Sequence, residues 1–165
     1  MGSQSVVHKL VALALAFSCS AWADTTAERR EGLVVSVHDG DTLTVLVGKQ
    51  QVKVRLAEID APELRQSFGN RSKQSLAELC FQESAKMELV AKDRYGRSVG
   101  KVKCRDVDAS AHQVALGMAW VYDRYSKPGS PLYSLQDAAK AAKRGLWADN
   151  EPVRPWEWRR AREEN

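Results

Sequence analysis

Three cysteines in 165 residues are too few, and too isolated, to organise a metal centre. Neither Cys80 nor Cys104 has a histidine or a second cysteine at ligand spacing, which argues against zinc. Long apolar runs are also missing. The stretch Leu10–Phe17 is apolar but too short to span a bilayer. No internal repeat and no long low-complexity segment appear. Neither sign of charge dominates: the formal net charge is +4, which allows a polyanionic partner without demanding one. What is present is 44% hydrophobic residues, enough to build the core of one domain and too short a chain for two ordinary ones.

The first residues read as a targeting segment. His8 and Lys9 precede the apolar run, and Ala21-Trp22-Ala23 puts small residues where a signal peptidase reads. Residues 1–23 are therefore expected to be a cleaved signal, with Asp24 the first mature residue and no membrane anchor left. The alternatives are a retained N-terminal anchor and a lipoprotein, although Phe17 makes Ala16-Phe-Ser-Cys19 a poor lipobox. Cleavage would remove Lys9 and no acid, leaving 24 Lys and Arg against 21 Asp and Glu, net +3. Export to the periplasm or medium makes Cys80 and Cys104 an even pair in an oxidising compartment. They are expected to form a disulfide closing a loop of about 24 residues, worth roughly 3 kcal/mol in the chain-entropy model. Two buried free thiols are the alternative.

Residues 24–31 are polar and read as a loose mature N-terminus. Alternation of Leu33, Val35 and Val37, of Leu43, Val45 and Val47, and of Val52, Val54 and Leu56 predicts three consecutive strands. Asp39-Gly40 reads as a type I′ hairpin turn, and Gly48-Lys49-Gln50 as the next turn. Pro62 stops the third strand. A helix is expected after Gly69, with Leu76, Leu79 and Cys80 on one face and Asn70 or Ser72 as its cap. Met87–Ala91 and Ser98–Cys104 read as strands around an Asp93–Arg97 turn. Asp108 fits the cap of a helix to about Leu116, stopped by Gly117. Trp120–Tyr122 is extended, and Ser130-Pro131 opens a last helix that ends at Gly145. Trp120, Trp147, Trp156 and Trp158 read as packing residues, and residues 159–165 as a polar tail. Five short strands in a 3+2 order, with helices between and after, suit a mainly β, α+β fold: a five-stranded OB-type barrel whose closure removes its edges. A plain α+β sandwich is the alternative.

Three turns carry chemistry. Asp41 follows Asp39-Gly40, and Asp60-Ala-Pro-Glu63 follows the strand that holds Arg55. Asp93-Arg-Tyr-Gly-Arg97 makes the third. Asp39 precedes glycine and belongs to its turn, whereas Asp41 is freer to act. Two carboxylates about 4 Å apart repel by a few kcal/mol at an effective dielectric near 20, and a cation turns that cost into binding. Oxygen ligands of irregular arrangement suit Ca²⁺ better than Mg²⁺, and the spacing is not that of an EF-hand loop. Arg55 and Arg97 offer guanidinium forks for a phosphate and for the charge of a five-coordinate phosphorus. Glu63 is then the general base, or orients the attacking water.

These residues, as His38-Asp-Gly-Asp-Thr42, Val54-Arg-Leu56, Ile59-Asp-Ala-Pro-Glu63 and Asp93–Arg97, together with Gly117–Tyr122 and Ala141–Trp147, resemble the thermonuclease family typified by staphylococcal nuclease. The likeness runs from residue 32 to about 158. It implies a five-stranded OB barrel with three helices. It also implies Ca²⁺ held by Asp41, Asp60 and the backbone carbonyl of Ala61, and catalysis by Arg55, Glu63 and Arg97. The implied reaction is endonucleolytic hydrolysis of DNA or RNA, single-stranded or denatured, by a monomer, leaving 3′-phosphates. Arg94 and Tyr95 would meet the nucleotide, with Tyr122 or Tyr125 reaching the base or sugar. The competing reading is a catalytically silent OB module that binds nucleic acid. Its weakness is that three turn-borne acids repel phosphates unless a metal is present.

Overall fold

The computed structural model describes residues 27–164; the signal-peptide expectation and Cys19 lie outside them. Three strands run antiparallel in sequence: β1 (Glu28–Val37), β2 (Thr42–Val47) and β3 (Gln50–Leu56). After a short β4 (Ile59–Asp60) and the helix α1 (Gly69–Cys80) come β5 (Ser84–Lys92) and β6 (Ser98–Cys104). β1 carries both halves of the sheet. Its residues 33–37 pair with β2 and its residues 28–33 with β5, and a register shift between Val34 and Ser36 bends it between the two. Parallel pairing of β3 with β6, Val54 opposite Ser98 and Leu56 opposite Gly100, closes five strands into a barrel. Val34, Leu43, Val45, Val54, Leu76, Val102 and Val114 fill it and are fully buried.

After β6, β7 (Val107–Asp108) leads into α2 (Ala109–Ala115), capped as expected by Asp108, whose carboxylate accepts from Ala111 N–H at 2.9 Å. β8 (Trp120–Val121) pairs antiparallel with β4, setting Asp60 opposite Trp120. α3 (Leu132–Ala141), a 3₁₀ turn (Gly145–Ala148) and α4 (Pro155–Glu163) complete the chain. Cys80 at the end of α1 is bonded to Cys104 at the end of β6, with Cα atoms 5.3 Å apart. The pair ties the inter-strand helix to the barrel wall.

Five local expectations are corrected. Residues 28–31 are strand, not a loose leader. Their backbone pairs with β5 from Leu89 to Lys86, while polar side chains face outward and so show no alternation. Neither Asp39 nor Gly40 has the positive φ that a type I′ turn needs. Gly40 is required by crowding instead: a Cβ there would strike Ser72 Oγ and lie 2.8 Å from Ala61 Cβ. Neither Asn70 nor Ser72 caps α1. Its cap is Phe68 in the left-handed region at φ 66°, and buried Ser72 donates to Met118 C=O. There are four α-helices among the described residues, not three. Residues 159–163, expected as a polar tail, are the last turns of α4.

α4 is held by aromatic packing. Trp120 and Trp147 are buried edge to face with centroids 4.3 Å apart, and Trp156 of α4 packs against them. Trp156 also stacks on Tyr122 at 4.8 Å. Trp156 and Arg159 are three apart and share one helix face. Docking the tryptophan therefore aims the arginine at the barrel.

Candidate active site

The site lies where the β1–β2 loop, the end of β3 and the β4–α1 loop meet. Asp39 takes the turn role, accepting from Asp41 N–H at 3.0 Å. The loop is fixed from behind by Gln113 of α2. Its buried amide donates to Gly40 C=O at 2.7 Å and to Ser72 C=O at 2.9 Å. Asp41 then points inward. One of its oxygens accepts from Thr42 Oγ1 at 2.9 Å and from Arg55 at 2.7 Å, and the other from Ala61 N–H at 2.9 Å.

Arg55 lies on β3 opposite Thr42. One terminal nitrogen meets Asp41, and the other meets Asp60 Oδ1 at 2.7 Å and Ile59 C=O at 3.3 Å. Both carboxylates are almost wholly buried, at 4% and 1% side-chain exposure. Asp60 is also held from outside. Arg159 of α4 meets Asp60 Oδ2 at 2.7 Å, Asp60 Oδ1 at 3.4 Å and Glu63 Oε1 at 2.8 Å. Glu63 is half-exposed, and its backbone is set by Gln66, whose Oε1 accepts from Glu63 N–H at 3.2 Å.

Burial pushes the Asp41 carboxyl above the ordinary aspartate range, against the pull of Arg55. Burial raises Asp60 likewise, against the hydrogen bond from Arg159. For Arg55 and Arg159 burial opposes the charge, but the neighbouring acids outweigh it and hold both guanidiniums above their usual value. Three carboxylates thus face two guanidiniums. The residual negative charge and the all-oxygen donor set fit a hard divalent ion. No group of three or more His, Cys, Asp and Glu stands ready for a metal among the described residues. Guanidiniums contact both oxygens of Asp60 instead.

The structure thus brings together Asp41, Arg55, Asp60, Ala61 and Glu63. It sets Arg97, Arg94 and Tyr95 apart, on the β5–β6 turn. Arg97 Nε donates to Asp93 Oδ2 at 2.7 Å, and Arg94 donates to Tyr95 Oη at 2.6 Å. Asp93 is held below the ordinary aspartate range: burial works to raise it, but bonds from Arg97 and Tyr95 prevail. This turn adjoins the site through the β3–β6 pairing, which puts Arg55 opposite Val99, two residues past Arg97. Tyr95 is 68% exposed. Of the two tyrosines left open, Tyr122 has one face covered by Trp156, while Tyr125 is largely exposed.

Residues 53–149 match the family model described as staphylococcal nuclease homologue. The chain belongs to the staphylococcal nuclease family. It is 41% identical over 160 residues to a "Micrococcal nuclease" of Shigella flexneri, covering 91% of this chain and 89% of that protein. An "Uncharacterized endonuclease" of Haemophilus influenzae is 40% identical over 155 residues, 93% and 86% of the two chains. "Protein ParB" of Escherichia coli is 40% identical over 172 residues, 96% and 93%. Membership places the chain among the nucleases, hydrolases whose substrates are nucleic acids and which are generally metal-dependent.

Sequence reasoning missed Gln113 and Arg159. Gln113 had no visible signal, since a glutamine in an amphipathic helix reads as a solvated position. Arg159 had a weak one: Trp156 and Trp158 beside a basic run mark an amphipathic helix rather than a tail.

Proposed function

We propose that the protein is an exported, Ca²⁺-dependent endonuclease that hydrolyses single-stranded or denatured DNA and RNA to products with 3′-phosphates. The carrying observation is the buried Asp41–Arg55–Asp60 assembly with half-exposed Glu63 beside it. A catalytically silent binding module would have no use for three acids at its phosphate site.

Asp41, Asp60 and the carbonyl of Ala61 would hold the ion, which when bound neutralises phosphate oxygens and polarises the phosphorus. Ala61 can serve through its backbone alone, so its side-chain identity is immaterial. Arg55 aligns the two carboxylates in the resting site. Once the acids are neutralised otherwise, its fork is available to a pair of phosphate oxygens. Arg97, restrained by Asp93 at the adjoining turn, approaches the same phosphate from the β6 side and offsets the charge that builds at phosphorus. Glu63 is the acid open to water. It takes the proton of the attacking water as the P–O bond on the 5′ side of the leaving nucleoside breaks. Arg94, Tyr95 and Tyr125 offer cationic and ring surfaces to the flanking nucleotides. The Cys80–Cys104 bond supports export to an oxidising compartment, periplasm or medium.

The test is cleavage of denatured DNA and of RNA by the purified mature protein with Ca²⁺, repeated with EGTA and with Mg²⁺. Cleavage confined to the Ca²⁺ arm is expected. Equal cleavage in EGTA would remove the metal reading, and none in any arm would favour the binding module. Sequencing the N-terminus of the exported protein tests Asp24 as its start.

A further inference from the structure

Arg159 lies outside the residues matched by the family model, yet it makes the closest outer contacts of the acidic site. Its two terminal nitrogens cover both oxygens of Asp60 and one of Glu63. Asp60 Oδ1 is shared with Arg55, so every oxygen of that carboxylate carries a guanidinium. Asp60 is 1% exposed and Arg159 is 39% exposed. The arginine therefore lies on the more exposed side of the buried carboxylate. An ion that coordinates Asp60 competes with these contacts for the carboxylate's lone pairs.

The backbone around Arg159 is anchored and its side chain is long. Buried Pro155 and the stacked Trp156 fix the start of α4, so a change of rotamer suffices to move the guanidinium without undocking the helix. A second seat exists. Glu163 is four residues on along the same helix. It lines, with Glu63, Arg65, Trp158 and Arg162, a cleft of about 370 Å³ beside Arg159.

We propose that Arg159 is a tethered counter-cation that sets the metal affinity of the site. It neutralises Asp60 and Glu63 in the metal-free protein, and a divalent ion binds Asp60 in competition with it. This rests on the reading of Asp60 as a metal ligand. The arginine keeps the buried acids from repelling one another when no metal is present, at the cost of competing with the ion.

The test is calorimetric titration of Ca²⁺ into the full mature chain without nucleic acid, on wild type, Arg159→Ala, Arg159→Lys and Asp60→Asn. Arg159→Ala is expected to bind Ca²⁺ about tenfold more tightly than wild type, and Arg159→Lys to fall between them, because lysine keeps the charge but loses the two-pronged contact. Asp60→Asn is expected to lose binding. Should Asp60→Asn lose binding while Arg159→Ala binds as wild type or more weakly, the proposal is wrong and the ligand assignment stands. Should Asp60→Asn bind as wild type, both fall. Circular dichroism and the thermal midpoint in EGTA confirm that each variant is folded. If Arg159→Ala is not folded, Arg159→Lys decides alone: tighter binding than wild type upholds the proposal, and equal or weaker binding overturns it.

Discussion

Arg55 touches Asp41 and Asp60 with different terminal nitrogens, each at 2.7 Å, inside a nearly dry site. Removing one partner of a buried ion pair leaves an uncompensated charge and costs about 3–5 kcal/mol. Arg55→Ala should therefore destabilise the EGTA-treated protein by about that amount in urea unfolding, and Ca²⁺ should restore much of it. A loss of the same size with and without Ca²⁺ would show that the two acids do not share a cation. Glu63 differs in kind, being half-exposed and paired only at the site's rim. Glu63→Gln should lower kcat by about 10²–10⁴-fold, the range of lost general-base catalysis. Its affinity for a non-cleavable oligonucleotide should change little. A parallel fall in both would mark Glu63 as a binding group instead.

Among the elements, β2, β3, β5, β6 and the first three helices were legible because their side chains alternate or stripe against one core, whereas in β1 the register shift buries Val34 and leaves Leu33 exposed. Leu43, Val45, Val52, Val54 and Leu56 show the two-residue period and are all buried. The first four residues of β1 were not legible, since a strand end held by its backbone ladder alone leaves no mark in side-chain polarity. The φ values at Asp39 and Gly40 were equally hidden. Asp-Gly satisfies both a tight hairpin turn and a crowded crossing, and only the neighbouring Ser72 and Ala61 distinguish them. The disulfide joins α1 to β6 across 24 residues. Replacing both cysteines by serine should lower unfolding free energy by roughly 3 kcal/mol if chain entropy dominates. Denaturant curves of the double variant give the value, and no loss would mean that the barrel alone restrains α1.

At the scale of the molecule, barrel closure through β3 and β6 brings the Asp93–Arg97 turn alongside the site that the Asp41 and Asp60 turns build together. An ion that binds this site binds the folded chain alone, so it stabilises by mass action. At one hundred times its dissociation constant the gain is about 2.7 kcal/mol, or roughly 5–10 °C for a domain of this size. Thermal melts in Ca²⁺ against EGTA should show it. A midpoint indifferent to Ca²⁺ would exclude a cation site that depends on the fold.

The sequence by itself determined where most strands and helices run, that Cys80 and Cys104 were available to pair, and which short stretches carry the acids and arginines. These follow from local periodicity, turn chemistry and composition, whereas the closed barrel was implied by the family resemblance and the Cys80–Cys104 bond was one of two alternatives until the fold set the two cysteines together. Only the tertiary structure decided what those groups touch. It set Arg55 between two aspartates, gave Arg97 to Asp93, and brought Arg159 back onto Asp60 and Glu63 from 99 and 96 residues away. The reason is physical. A residue's tendency to form a strand or helix is written in its neighbours along the chain, but a buried charge takes whichever opposite charge packing delivers, and here aromatic stacking on α4 delivers it.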